Sequence, residues 1–205
     1  MADMAVSGNR TAMSEEFNRL RWSVFEDISK IQVANDPDGI TPHLLPFLGH
    51  PIASEAASQD PLYEITFCID ALEEWEAPEY EENDIVIPEP LVVRRADGGI
   101  VTISDVIEQL SRYIITHKDI ILEAKSSCLH WTTHETTEGG EHIDNIPAYE
   151  DVLASADTKV AFDGFFGSIE AGRYALPVVL WAEGEEGMTL EYYWKSLNDP
   201  DQFLM

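Results

Sequence analysis

Between Lys30 and Arg94 the chain carries no lysine or arginine, while 14 acids accumulate there, eight of them from Asp70 to Asp84. Carboxylates in that stretch have no local cation to pair with, and an unpaired carboxylate is not buried. The whole chain repeats the bias, with 39 Asp plus Glu against 12 Lys plus Arg and a formal net charge of −27. Disorder would also require low hydrophobicity. Here 44% of residues are apolar, including five Trp, eight Phe and seven Tyr. The chain is therefore expected to bury a core and display its acids around it. At 205 residues it is long enough for one substantial domain. We read residues 1–14 as a flexible, small-residue leader and 15–205 as a single domain.

The charge also sorts partners. Such a surface repels nucleic acid phosphates and anionic membranes and attracts basic proteins or cations. The scattered basic residues make no stripe for nucleic acid. Residues Met1 to Glu16 hold neither a basic n-region nor an apolar stretch of signal-peptide length. No window reaches the ~18 apolar residues of a membrane span. Two cysteines, Cys68 and Cys128, are too few for a secreted disulfide framework. Cys68, inside an apolar run, reads as a buried free thiol. A soluble protein of the cytoplasm or nucleus is expected.

Local patterns predict an α+β fold, with antiparallel hairpins packed against a few amphipathic helices. Leu20, Trp22 and Val24 alternate like a strand, and Phe25, Ile28 and Ile31 suit a helical turn after it. Residues 40–47 read as a short helix opened by Thr41 and Pro42. The run from Leu62 to Ile69 is a strand by its β-branched and aromatic content, buried at Ile65, Phe67 and Ile69. Asp97-Gly98-Gly99 is a turn signal that would pair Leu91–Arg94 with Ile100–Ile103. Thr102, with Asp105 three residues on, opens a helix whose Val106, Ile107, Leu110, Tyr113 and Ile114 share a face. Thr116 and Asp119 repeat that start. A second hairpin is expected to join Tyr174–Ala182 to Met188–Trp194 through an acidic tip.

Two constellations could carry function. The insertion at residues 70–84 mixes Glu73, Glu74, Glu76, Glu79, Glu81, Glu82 and Asp84 with Trp75 and Tyr80. Aromatics among acids can enter apolar pockets of a basic partner while carboxylates meet its Lys and Arg. The other constellation lies in the polar loop 126–145, where His130, His134, Glu135 and His142 could hold a divalent metal. On a helix His130 and His134 would share a face, but Thr132, Thr133, Thr136, Thr137 and Gly139-Gly140 oppose one. The metalloprotease order His-Glu-x-x-His is absent. So are a nucleophile elbow, a phosphate-binding loop and a dinucleotide fingerprint. No catalytic residue is assigned and no cofactor is expected. The leading reading is an interaction domain for a basic protein. The alternatives are a metal-dependent enzyme using the histidine loop, and a structural protein whose charge serves solubility. Oligomeric state is not legible.

The stretch from Pro90 to Leu110, with Val101-Thr102-Ile103-Ser104-Asp105-Val106-Ile107-Glu108 at its centre, resembles a core pattern in a large family of fungal proteins known as a domain of unknown function. Members pair an extended segment with a Val-Thr-x-x-Asp-Val-Leu-Glu helix start and often carry an upstream Leu-x-Trp strand, as in Leu20-Arg21-Trp22. The resemblance covers about half of the chain. It implies an α+β intracellular fold and a fungal source, and it transfers no functional residue. The acidic insertion and the histidine loop depart from the pattern.

Overall fold

A computed structural model describes residues 10–35, 43–75, 86–128, 154–170 and 175–197. Its centre is a four-stranded mixed sheet in the order β6-β5-β9-β7, built from β5 (Glu64–Ile69), β6 (Leu91–Arg94), β7 (Val160–Phe165) and β9 (Leu176–Ala182). β5 lies antiparallel to β6 and parallel to β9, and β9 lies antiparallel to β7. β5 forms where its composition predicts, and Ile65, Phe67 and Ile69 are buried as expected. Pro88 and Pro90 precede β6, an edge strand of this sheet, where a missing N–H costs no ladder bond.

The first expected hairpin does not form. Asp97-Gly98-Gly99 does turn the chain, with Gly98 at φ 71° and the Asp97 carboxylate accepting from Gly99 N at 2.9 Å. However, β6 pairs with β5, and the chain after the turn serves other partners. Val101 N donates to Leu62 O at 2.8 Å, and Ile103 begins a helix. Burial of Val101 and Ile103 at the helix entry outweighs a two-residue turn preference.

A second sheet, in the order β2-β3-β4, comprises Leu20–Arg21, Gln32–Ala34 and Leu44–Pro46. Residues 44–46 are thus a strand, not the helix expected over 40–47. Leu45 pairs with Val33, and Pro46 ends the segment. The strand followed by a helical turn expected over 20–31 is present, the turn being a 3-10 helix at Ile28–Lys30. The two sheets are sewn together beyond β2, where Val24 N donates to Val160 O at 2.8 Å and Phe162 N to Trp22 O at 2.9 Å. The last part of the expected leader is also held in place. Arg10–Thr11 (β1) pairs with Ile169–Glu170 (β8), and Thr11 Oγ1 accepts from Asp60 N at 3.0 Å.

Aromatic side chains fill the junction of the sheets. Phe165 meets Phe17, Phe162 and Phe67 at centroid distances of 5.0, 5.0 and 5.3 Å, and Phe162 meets Trp22 at 5.3 Å. Phe162 and Phe165 share a face although strand alternation would send residues three apart to opposite faces. A bulge resolves this: Phe162 pairs with Leu180 and Gly164 with Val179, which leaves Asp163 as the extra residue. Gly164 has φ 154°, a region that side chains avoid.

Four helices complete the described fold. α1 (Asp70–Trp75) continues directly from β5 and buries Ala71 and Leu72, so the acidic insertion begins as a core-forming helix. α2 (Ile103–Thr116) opens with the expected capping box. Asp105 N donates to Thr102 Oγ1 at 3.3 Å, and Thr102 N donates to the Asp105 carboxylate at 2.8 Å. Its stripe Val106, Ile107, Leu110 and Ile114 is fully buried. α3 (Lys118–Cys128) follows after His117, and Thr116 does not cap it. Its hydroxyl donates instead to Arg112 O at 2.8 Å, closing α2 from within.

The second expected hairpin is also replaced. Leu176–Ala182 is a strand, but 190–196 form a helix, α4 (Leu190–Ser196), capped by Thr189. Its Tyr193 ring stacks on Trp181 at 4.3 Å and 6°. Strand-favouring Tyr192, Tyr193 and Trp194 take helical form because Leu190 and Tyr193, three apart, together cover Trp181 and Ala161. Among the described residues no helix is long and apolar enough to cross a membrane.

Two substitutions check this account in urea denaturation. Thr102→Ala should lower unfolding free energy by about 1 kcal/mol through loss of the cap. Gly164→Ala should lower it by about 1–3 kcal/mol, because a Cβ has room but the backbone angle is strained.

Candidate functional site

The acidic segment leaves the described fold at Trp75 and rejoins it at Val86. Between these two points lies a pocket of about 210 Å³. One wall is Cys68 and Ile69 from the end of β5, with Leu72 and Glu73 from α1. The facing wall is the extended stretch Ile87-Pro88-Glu89-Pro90 that leads into β6, and Tyr113 of α2 closes one side. Sequence order explains the assembly. β5 runs straight into α1, and pairing of β6 with β5 brings residues 87–90 back alongside that corner. Tyr113 fixes the returning stretch, its hydroxyl donating to Glu89 O at 2.9 Å.

The polar chemistry of the pocket is one-sided. Burial pushes the Cys68 thiol up to about 12 from an ordinary 9.0, helped by its hydrogen bond to Glu73 and by the negative charges of Glu73 and Asp70. Burial likewise raises the Tyr113 phenol to about 12, with Cys68 contributing. Both groups are protonated at neutral pH, so Cys68 offers no thiolate nucleophile. It is a buried free cysteine, as its apolar surroundings predict. What remains is a cleft of mixed polar and apolar lining that includes the acidic residues Glu73 and Glu89. Every described wall residue except Tyr113 comes from the part of the chain that holds no lysine or arginine.

Of the residues singled out in the sequence, Glu73 is exposed and lies in the pocket wall. Glu74 and Trp75 belong to α1, and their side chains lie outside what is described. Glu76, Glu79, Tyr80, Glu81, Glu82 and Asp84 lie outside the described residues, as do His130, His134, Glu135 and His142. Of the polar loop 126–145, residues 126–128 are the last turn of α3, where Ser126 Oγ donates to Leu122 O at 2.9 Å. Among the described residues no group of three or more His, Cys, Asp or Glu is arranged to hold a metal ion. Sequence reasoning did not single out Ile87, Glu89 or Tyr113 as pocket residues. Tyr113 carried a signal only as the outermost member of the α2 stripe.

Comparison of the chain with models of protein families, with curated proteins and with solved structures finds no match.

The shifted thiol has two measurable consequences. In a Cys128→Ser background, Cys68 should react with iodoacetamide at pH 8 at least about a hundredfold more slowly in native protein than in urea; equal rates would contradict the burial. Above pH 9 the unfolded chain loses this proton before the folded one does. Stability should therefore be complete below pH 9 and fall progressively between about 9 and 12. Tyr113 acts in the same direction from 10 to about 12. The urea midpoint should drop less steeply over that range in Cys68→Ala.

Proposed function

We propose that this protein is an acidic interaction domain that binds a basic partner protein in the cytoplasm or nucleus. The observation that carries the reading is the 63-residue stretch without lysine or arginine, from residue 31 to residue 93, which holds 14 acids. Such a field steers a cationic partner to the surface and rejects anionic ones. Glu73, Glu74, Glu76, Glu79, Glu81, Glu82 and Asp84 supply the charge, and Trp75 and Tyr80 supply apolar anchors. The pocket beside Glu73 supports this reading, because it adds apolar surface at the edge of the charged segment. The resemblance of residues 90–110 to the fungal family contributes no residue to this reading.

The test is capture of lysate proteins on the immobilised domain, followed by elution in a salt gradient and kinetic analysis of the retained proteins. Basic proteins should elute at moderate salt and be lost from a variant in which the seven acids are changed to their amides. Amide replacement should slow association by about tenfold and flatten its salt dependence. Trp75→Ala with Tyr80→Ala should act on dissociation instead. If wild-type and amide variant retain the same proteins at every salt concentration, the acidity serves solubility alone.

A further inference from the structure

Resting on that reading, we infer that the pocket between α1 and residues 87–90 receives a single lysine or arginine side chain of the partner. Three features select this occupant. Glu73 and Glu89 both line the cleft, and no lysine or arginine is among the described residues that line it. An anionic group is therefore repelled and a cationic one attracted. The walls between the acids are aliphatic, from Leu72, Ile87 and the flanking prolines. Lysine and arginine alone among cationic side chains carry a long apolar stem behind the charged head, and such stems cover apolar surface while the head stays polar. Tyr113 adds an aromatic ring to the lining, a type of group that attracts cations.

The pocket is also held open by the protein itself. The Tyr113 hydroxyl bonds Glu89 O, and β6 is registered on β5 with Leu91 opposite Phe67, so residues 87–90 are anchored at one end. Binding there has little ordering to offset.

The experiment uses the whole protein and eight-residue Gly/Ser peptides that carry three lysines, the central one replaced in turn by arginine, norleucine or acetyl-lysine. Binding is followed by NMR at low salt. The lysine and arginine peptides should shift the amide signals of Cys68, Leu72, Ile87 and Tyr113. Norleucine or acetyl-lysine at the centre should weaken binding by about tenfold. Glu73→Gln, an exposed change that keeps a hydrogen-bond acceptor beside Cys68, should abolish the preference for lysine over norleucine. Peptides that bind with equal affinity whatever the central residue, or that shift only other signals, would overturn the pocket assignment and leave the acidic-domain reading standing. Failure of every basic peptide to bind at low salt would overturn both.

Discussion

Phe162 and Phe165 of β7 lie on one face of their strand only because Asp163 is bulged out between them, and the joining of the two sheets depends on that arrangement. From this face the two rings reach Phe17, Trp22 and Phe67, which arrive from three other parts of the chain. Each aromatic contact is worth about 0.5–1.5 kcal/mol beyond its area burial. Removing the bulge would turn one ring to the opposite face and leave part of the core without its filling. The bulged residue is used as well. The Tyr193 hydroxyl donates to the Asp163 carboxylate, which ties α4 to the outer face of the same strand. Burial and the Asp163 charge together push the Tyr193 phenol well above its ordinary range, and the nearby Arg21 works against them.

The scarcity of cations shapes how the acids are spent. Glu183 and Glu185, in the turn before α4, accept backbone N–H groups of Leu190 and Ala182 at 3.1 Å each. Glu185 also pairs with Lys125 of α3 at 2.9 Å, with both side chains largely shielded. Asp105 and Asp97 serve a helix start and a turn in the same manner. Carboxylates used structurally thus draw on backbone donors as well as on the few cations, as Asp97 does with Gly99 N and the Arg95 guanidinium. The acids of the 70–84 segment have no cation nearby in sequence.

Local chemistry was legible wherever one segment could satisfy itself. The Thr102–Asp105 capping box needs four consecutive residues and no distant contact, and it forms as read. β5 is apolar and β-branched along its length and has no good alternative. The failures share a cause. The turn at Asp97-Gly98-Gly99 is real, but β6 pairs with β5, and Val101 and Ile103 are taken by Leu62, Ala57 and Glu55 instead. Residues 190–196 have strand-like composition, yet Trp181 is covered by a helical spacing of Leu190 and Tyr193. β7 gave no period-2 signal because its bulge interrupts the alternation. The pocket was half visible. Its acidic side lies in the conspicuous charged run, but Ile87, Glu89 and Tyr113 meet Cys68 only through strand pairing and helix docking.

Composition and order alone determined that this chain buries an aromatic core and carries a large excess of acids, because those properties follow from residue type and need no geometry. Helix α2 and strand β5 were settled at the same level, since capping and β-branching act within a few residues. Tertiary structure decided the pairing of β6 with β5, the parallel placement of β9, the helical state of residues 190–196 and the existence of a cleft beside Glu73. Each of these is a choice between competing local preferences. The apolar area that distant segments bury together outweighs the fraction of a kcal/mol to about 1 kcal/mol by which such preferences differ.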